Sequence, residues 1–305
     1  MKAPLAYLDG EWLPFDRLSI PISDAGFVLG TTVTEQLRTL GGRLFRLEDH
    51  LARLARSMEI VGLEVDRSID ELAQIARDAV ARNWSLVDEG SDLGLGIFVT
   101  PGPYATLAPR AEQRARVCVY AYPLAFEQWA SKYETGQALA ISSIRQVPTD
   151  CWPAELKCRS RMHYYLADRD AAQRYPGSRA VLLDQDGFLS EASTASVVLY
   201  REGEGVVSPR SEKILPGISL MTLLEIAAER GIPQVQRDIP VDELRAADEI
   251  WLASTSICLQ AVTRLDGQPI SQGAPGPVFR ALLAAWSEQV GVDIAAQAKR
   301  FARSS

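Results

Sequence analysis

Residues 154–160 read Ala-Glu-Leu-Lys-Cys-Arg-Ser, and they place Lys157 after a strand-like region and just before a predicted helix. A lysine in such a position is usually a solvated surface residue. It becomes a nucleophile only when burial or neighbouring cations lower the pKa of its amine. Arg159 and Arg161 are compatible with the second condition. The importance of Lys157 therefore depends on what the rest of the chain supplies.

The chain before Lys157 alternates strands and helices. Hairpin turns are predicted at Asp9-Gly10 and Gly41-Gly42, each between two short strand-like segments. From Leu47 to Val61 apolar residues recur at spacings of four and three, and Gly62 follows, which predicts an amphipathic helix. Interleaved strands and helices indicate an α/β or α+β domain.

The second half shows the same mixture, after a stretch around residues 123–137 in which the pattern loosens. Its predicted elements are strand 138–142, a helix from about 160 to 174, strands 179–183 and 188–200, helix 220–229 and strand 249–253. The sequence therefore predicts two domains, residues 1–125 and 137–305, joined by a linker at 126–136. The second domain is expected to carry Lys157.

The composition narrows the class of protein. The chain has 305 residues, of which 47% are hydrophobic, so it can bury one large core or two modest ones. A net charge of -7 with dispersed basic residues argues against nucleic-acid binding, and two histidines are too few for a His-rich metal site. No stretch approaches the roughly 20 apolar residues that cross a bilayer, and the four cysteines form no CxxC pair. We expect a cytoplasmic protein that binds small molecules and no metal.

Four further positions carry groups that a bound anion or ring would need, although each has an ordinary structural explanation. Glu191 follows an Asp-Gly turn among small polar residues, where a carboxylate can partner a ring nitrogen. Residues 215–219 open a helix whose first amides can bind an anion. Ser254-Thr255, at the end of a strand, offer further hydroxyls and amides. Arg53 would add positive charge from the helix that begins at Leu47.

The order of these groups is more specific than any one of them. Arg53 in His-Leu-Ala-Arg-Leu, then Lys157, Glu191, Pro-Gly-Ile-Ser at 216–219 and Ser254-Thr255 resemble the aminotransferase class IV family of pyridoxal-phosphate (PLP) enzymes. That family includes branched-chain aminotransferases, D-amino-acid aminotransferases, R-selective amine transaminases and 4-amino-4-deoxychorismate lyases. The resemblance covers about residues 7–266. It implies the fold-type IV architecture, with a small α/β domain, a larger domain with a barrel-like sheet, and a homodimer.

The resemblance also implies roles for individual residues. Lys157 corresponds to the lysine that forms the Schiff base, Glu191 to the acid on the pyridine nitrogen and Arg53 to the phosphate arginine. The positions that hold the phosphate through amides or hydroxyls are Ile218, Ser219, Ser254 and Thr255. The implied reaction moves an amino group from an amino acid or amine to a 2-oxo acid in a ping-pong cycle, with Lys157 as anchor and general base.

Several positions depart from the family's pattern. In the opening motif at residues 24–38, Thr34 replaces a usual aromatic residue and Leu29 a frequent tyrosine. Met162 stands where branched-chain members have a tyrosine near the cofactor's phenolic oxygen. These departures predict an altered substrate pocket.

The residues that bind the substrate are less clear from the sequence. The loop 100–110 contains no Arg-x-His of the kind with which D-amino-acid enzymes hold the substrate carboxylate. Arg38 or Arg145 is a candidate for that role, since both lie near the motifs. Thr34 and Tyr104 are further candidate substrate residues.

Two alternatives remain open at this point. A lyase that releases pyruvate from 4-amino-4-deoxychorismate is one, because Arg161, four residues after Lys157, resembles that branch of the family. The other is a catalytically degenerate homologue that binds the cofactor, or only dimerises, without turnover. Lys157 and Glu191 argue against the second alternative, and the departures above leave it open.

Overall fold

A computed structural model of the protein describes residues 3–302, which form two compact units. The first unit consists of the described residues up to Leu124 together with Leu156–Ser160. The second consists of Ala125–Glu155 and the described residues from Arg161 onwards. No helix within residues 3–302 is long and apolar enough to cross a membrane.

The first unit is built on a six-stranded antiparallel sheet with the strand order β2-β1-β6-β5-β3-β4. The strands are β1 (Leu5–Leu8), β2 (Glu11–Pro14), β3 (Val33–Leu40), β4 (Arg43–Leu44), β5 (Leu93–Thr100) and β6 (Arg116–Pro123). Both predicted hairpins are present, since β1 pairs with β2 and β3 with β4.

The helices of this unit are α1 (Ala25–Val28), α2 (Leu47–Val61) and α3 (Ile69–Asn83). The predicted stop of α2 is confirmed, because Gly62 takes a left-handed conformation (φ 71°) that ends the helix. A capping box between Ser68 and Glu71 begins α3. The apolar faces of α2 and α3 pack against one face of the sheet and form the core of the unit.

The second unit contains a closed, barrel-like sheet. Six strands form a ring in the order β10-β13-β14-β7-β8-β9, and β9 pairs back with β10. The strands of the second unit are β7 (Gln137–Ile141), β8 (Arg179–Leu183), β9 (Leu189–Ala192), β10 (Ala195–Arg201), β11 (Gly205–Ser208), β12 (Gln234–Gln236), β13 (Glu249–Ser254), β14 (Cys258–Leu265) and β15 (Gln268–Pro269). The predicted α/β fold class with a barrel-like sheet is confirmed.

The second unit also contains helices, of which α6 packs on β13 and β14 of the sheet. They are α4 (Lys132–Thr135), α5 (Met162–Arg174), α6 (Ile218–Glu229), α7 (Val241–Arg245), α8 (Pro277–Val290) and α9 (Ile294–Phe301). The most deeply buried side chains include Trp251 of β13 and Phe279 and Trp286 of α8. These aromatic residues are buried within the second unit.

The structure differs from the predicted division of the chain in two respects. Residues 126–136 are not a free linker, because Tyr133 donates a hydrogen bond to the Ile257 carbonyl (2.6 Å) within the second unit. Lys157 lies in the first unit, where its carbonyl accepts a hydrogen bond from the Thr34 amide (3.0 Å). The helices within residues 126–136 are too short to show a period in the sequence. The hydrogen bond between Thr34 and Lys157 joins residues more than 100 positions apart, so it leaves no local sequence pattern.

The predicted strand 188–200 is also divided in the structure. It forms β9 and β10, joined by the turn Ser193-Thr194, and Thr194 takes a positive φ of 76°. This tight turn folds β10 back on β9, so that Glu191 lies opposite Ser196. The turn therefore fixes the position of the predicted site carboxylate.

Candidate active site

Lys157 lies beside β3 and α2 in the first unit. Cys158 forms an isolated antiparallel bridge with Val33, and the amides of Thr34 and Arg159 make the flanking hydrogen bonds. The amide of Lys157 donates to Ser57 Oγ (3.1 Å), and Ser57 is one helical turn after Arg53 on α2. The backbone of Lys157 is thus fixed to the same face of α2 that carries Arg53.

Arg53 is part of a buried ionic cluster rather than a solvated surface residue. Its Nε and Nη2 donate to the two carboxylate oxygens of Glu35 on β3, at 2.7 and 2.9 Å. His50 Nδ1 lies 2.7 Å from Glu35 Oε2. All three side chains are buried. The sequence analysis did not identify Glu35 or His50 as site residues. Glu35 lies on the same face of its strand as the apolar Val33 and Leu37, and a carboxylate on an apolar face requires a partner.

The charges of this cluster are set by its burial and its pairing. Burial raises the pKa of Glu35, but Arg53 and His50 outweigh it and lower that pKa to about 2. Burial lowers the pKa of His50, and the hydrogen bond to Glu35 only partly opposes this. At neutral pH the cluster therefore contains ionised Glu35, cationic Arg53 and a neutral His50 that donates its Nδ1 proton.

Glu191, in the second unit, is also a buried carboxylate, 6% exposed. Its Oε2 accepts hydrogen bonds from Gln146 Nε2 (3.0 Å) and the Tyr164 hydroxyl (3.3 Å), and its Oε1 accepts one from the Leu215 amide (3.3 Å). Burial and the Glu191 carboxylate raise the pKa of Tyr164, so the phenol keeps its proton and donates it. These donors hold Glu191 in one orientation, in which its carboxylate can accept a hydrogen bond from a group such as a ring N–H.

The other predicted cofactor residues of this unit converge on Ser196. Ser196 of β10 is paired with Glu191 on one side and with Ala253, the neighbour of Ser254, on the other. Gly217 lies so close that a Cβ atom there would be 2.8 Å from Ser196 Oγ. The start of α6, the end of β13 and Glu191 therefore meet within the second unit.

This arrangement fits the two ends of a PLP molecule. Gly217 caps α6 without a side-chain hydrogen bond, so the first amides of the helix, at Ile218 and Ser219, are oriented as an anion site. Ser254-Thr255 end β13 and begin the turn to β14. The unit thus presents donors for a phosphate group and an acceptor for a pyridine N–H around one residue.

The predicted substrate residues have other contacts. Thr34 donates its hydroxyl proton to the Ile97 carbonyl (2.8 Å), and the Tyr104 amide binds the Ser23 carbonyl. Arg38 is 2% exposed, donates to the Thr39 carbonyl and lies 4.0 Å from Asp92. These contacts favour a structural role for Arg38 over the predicted role as a carboxylate ligand.

The structure also shows the surroundings of Arg145, the other candidate carboxylate ligand, and of Met162 and Leu29, which depart from the family pattern. Arg145 is exposed and donates to the Asp184 carbonyl (3.4 Å) in the second unit. Met162 and Leu29 are exposed, at 69% and 55%. Tyr164, two residues after Met162, supplies the aromatic hydroxyl that contacts Glu191. The sequence analysis did not identify Tyr164 or Gln146 as site residues.

The chain is similar to known aminotransferases over nearly its whole length. The D-alanine aminotransferase of Bacillus licheniformis is 28% identical over 277 residues, covering 89% of this chain and 92% of the relative. The branched-chain-amino-acid aminotransferase of Salmonella typhimurium is 26% identical over 290 residues, covering 92% and 90%.

Solved structures show the same fold. The branched-chain amino acid aminotransferase of Escherichia coli superposes with a TM-score of 0.85 at 23% identity, covering 94% of each chain. The branched-chain aminotransferase of the thermophilic archaeon Thermoproteus uzoniensis, solved with norvaline, gives 0.81 at 24% identity, covering 98% of this chain and 97% of that one. Residues 32–265 match the family described as amino-transferase class IV. The chain belongs to the aminotransferase class IV family.

Proposed function

We propose that this class IV aminotransferase uses PLP to move the amino group of an amino acid or amine to a 2-oxo acid. The observation that carries the proposal is the convergence, around Ser196, of a buried carboxylate at Glu191 and the uncapped start of α6. The relatives named above act on D-alanine and on branched-chain amino acids. We therefore propose amino acids with apolar side chains as the first donors to test.

The residues of the chain divide the work of the reaction. PLP supplies an aldehyde that condenses with amines and a ring that withdraws electrons from the substrate carbon. Lys157 Nζ would anchor the cofactor and, once released, carry a proton to and from the substrate carbon. Glu191 would accept the ring N–H, and Tyr164 and Gln146 keep its carboxylate oriented.

The phosphate group would be held by two kinds of donor. The amides of Ile218 and Ser219 and the hydroxyls of Ser254-Thr255 provide hydrogen bonds in the second unit, and the dipole of α6 favours a negative charge there. Arg53 would contribute a guanidinium whose orientation is fixed by Glu35. These roles follow the resemblance residue by residue.

We also propose a homodimer in the cytoplasm. The first unit exposes large apolar side chains, among them Ile22 (81%) and Leu107 (58%), which a second copy would cover. Within residues 3–302 none of the four cysteines forms a disulfide, which suits a reducing compartment. The molecular mass in solution, measured by light scattering, tests the first proposal.

The central experiment uses the purified protein with PLP. We expect a yellow absorbance that borohydride fixes as a covalent adduct on Lys157, located by peptide mass spectrometry, and no adduct in Lys157→Ala. The L and D forms of alanine, leucine and phenylalanine are then tested separately; one form of an accepted amino acid should bleach the yellow form, and a 2-oxo acid should restore it. Protein that takes up no PLP would contradict the proposal, and p-aminobenzoate formation without an acceptor would favour the lyase alternative.

A further inference from the structure

The first unit contains a second feature that the proposed cofactor site does not use. On the face of the sheet away from α2 and α3 there is a cavity of about 460 Å³, within the usual range for small-molecule sites. Its walls include Phe15, Leu18, Ile20, Phe27, Phe98, Tyr120 and Arg159. No Asp or Glu of the described chain lines it, so Arg159 is its charged wall residue.

Two glycines of β5 create the aromatic floor beside this cavity. Gly94 and Gly96 lie directly opposite Tyr122 and Tyr120 of β6. A Cβ atom at either glycine would lie 2.4 Å from the facing tyrosine ring. The absence of side chains on β5 therefore lets both rings lie flat across the sheet. Gly94-Leu95-Gly96 is not a nucleotide-binding loop but the support for this surface.

Arg159 is held at the cavity by the aromatic floor. Its Nη2 donates to the Tyr120 hydroxyl (3.3 Å). Within residues 3–302, no carboxylate lies at ion-pair distance from Arg159, whereas Arg53 has Glu35 and Arg38 has Asp92. An arginine at an apolar cavity with a neutral partner leaves a positive charge available for a ligand.

The position of Arg159 relates the cavity to the reaction. Leu156 packs against the helix-side core, and Cys158 is opposite the buried Val33. Lys157 and Arg159 flank Cys158, and their backbones are hydrogen-bonded to Thr34 and Thr32, the residues on either side of Val33. Two residues of chain separate Cα atoms by at most about 7 Å, so the long side chains of Lys157 and Arg159 can reach groups on the same α-amino acid.

We propose that this cavity binds the substrate side chain and that Arg159 binds the substrate carboxylate. The preferred donors are then amino acids with large apolar side chains, aromatic ones above all, and the acceptors are the matching 2-oxo acids. A guanidinium binds a planar carboxylate through two parallel hydrogen bonds, and the aromatic walls offer apolar surface to the side chain. This inference rests on the proposed transaminase function and adds its substrate class.

The first test measures binding without turnover. The holoenzyme is titrated calorimetrically with 3-phenylpropanoate, which has the carboxylate and the ring but no amine. We expect Arg159→Met to weaken binding on the order of 10- to 100-fold, and Arg159→Lys to recover part of the loss. The matched control is Arg77→Met, an exposed arginine on α3 paired with Glu48, and should bind as the wild type does.

The second test compares donors in the half-reaction that bleaches the yellow form. Arg159→Met should raise the KM for phenylalanine on the order of tenfold or more and leave that for 2-phenylethylamine unchanged, because the amine has no carboxylate to lose. Ile20→Trp, which fills the cavity, should impair phenylalanine more than alanine. Equal effects on phenylalanine and its amine would overturn the role of Arg159.

The outcomes separate this inference from the proposed function. If the protein binds PLP at Lys157 and transaminates, but Arg159→Met and Ile20→Trp leave both the affinity for 3-phenylpropanoate and the donor preference unchanged, the substrate pocket is elsewhere and the transaminase proposal stands. If the variants instead lower the molecular mass in solution without a change in KM, the cavity is a contact between copies of the chain and the inference is refuted. Absence of PLP uptake by the wild type refutes both.

Discussion

Replacement of Glu35 by glutamine should destabilise the first unit strongly. Glu35 accepts two hydrogen bonds from Arg53 and one from His50, and all three side chains are buried. Glutamine keeps the shape but removes the charge, and its amide nitrogen would face at least one hydrogen-bond donor, Arg53 Nε. The guanidinium of Arg53 would then lose the carboxylate that balances its charge.

Two arguments give the magnitude of this loss. Removal of one partner from a buried ion pair costs about 3–5 kcal/mol. The pKa of Glu35 leads to a similar figure: burial raises it, but Arg53 and His50 outweigh burial and lower it from 4.5 to about 2. Since one pKa unit corresponds to about 1.4 kcal/mol, this depression contributes about 3 kcal/mol to the stability at neutral pH.

The same contribution makes the stability depend on pH. Because the pKa of Glu35 is lower in the folded chain than in the unfolded chain, its contribution is complete above pH 4.5 and is lost as the pH falls from 4.5 towards 2. His50 acts in the same direction at higher pH, because burial holds its pKa below 6.5 and the unfolded chain protonates first. The Glu35→Gln variant should lack the part of the stability loss between pH 4.5 and 2 that Glu35 causes, whereas Asp170, whose pKa is lowered by its hydrogen bond to Arg174, keeps its own part.

Urea unfolding followed by circular dichroism measures this effect. The wild type, Glu35→Gln and the control Glu48→Gln are compared with PLP present, at neutral pH and through the acid range. Glu48 lies on α2, the helix that carries Arg53, but is exposed and paired with Arg77, so its replacement should leave the midpoint unchanged. A loss below about 1 kcal/mol in Glu35→Gln, or an acid profile identical to that of the wild type, would refute the reasoning.

Three further variants test other parts of the structure. Gln146→Leu removes one donor to Glu191 and should weaken PLP binding about tenfold in a fluorescence titration, since a hydrogen bond to a charged group contributes about 1.5 kcal/mol or more; unchanged affinity would argue against the positioning role. Gly96→Ala places a Cβ atom 2.4 Å from the Tyr120 ring and should cost about 1–3 kcal/mol in thermal unfolding, and a second change, Tyr120→Ala, should remove that strain. Tyr133→Phe deletes the hydrogen bond to the Ile257 carbonyl and should cost about 1 kcal/mol in urea unfolding; no loss would mean that this hydrogen bond does not stabilise the attachment of residues 126–136 to the second unit.

The parts of the fold that could be predicted from the sequence are those with a local cause. Helix α2 was predicted because its apolar period and the stop at Gly62 lie close together in the chain. Gln146 and Tyr164 could not be predicted as partners of Glu191, because they are 45 and 27 residues away in the sequence. Glu35 was predictable in principle, since a carboxylate between two buried apolar positions must be paired.

The resemblance to a family added what local patterns could not supply, but only at positions that the family shares. It singled out Lys157, Glu191 and the start of α6, and the structure brings the last two together around Ser196. It gave no role to Arg159. Of the substrate candidates drawn from the sequence, Thr34 donates its hydroxyl proton to the Ile97 carbonyl, and Arg38 lies 4.0 Å from Asp92.

Two arginines of the first unit, Arg53 and Arg159, differ in what they offer a ligand. Arg53 is paired with ionised Glu35, so the pair as a whole carries little net charge, and its value to a phosphate lies in the fixed direction of its hydrogen-bond donors. Arg159 has a tyrosine hydroxyl for a partner and keeps its full charge beside an apolar cavity. An incoming carboxylate would therefore be attracted to Arg159 rather than to Arg53. The buried cluster of Glu35, His50 and Arg53 then stabilises the first unit and orients the donors of Arg53, while Arg159 selects which substrates bind.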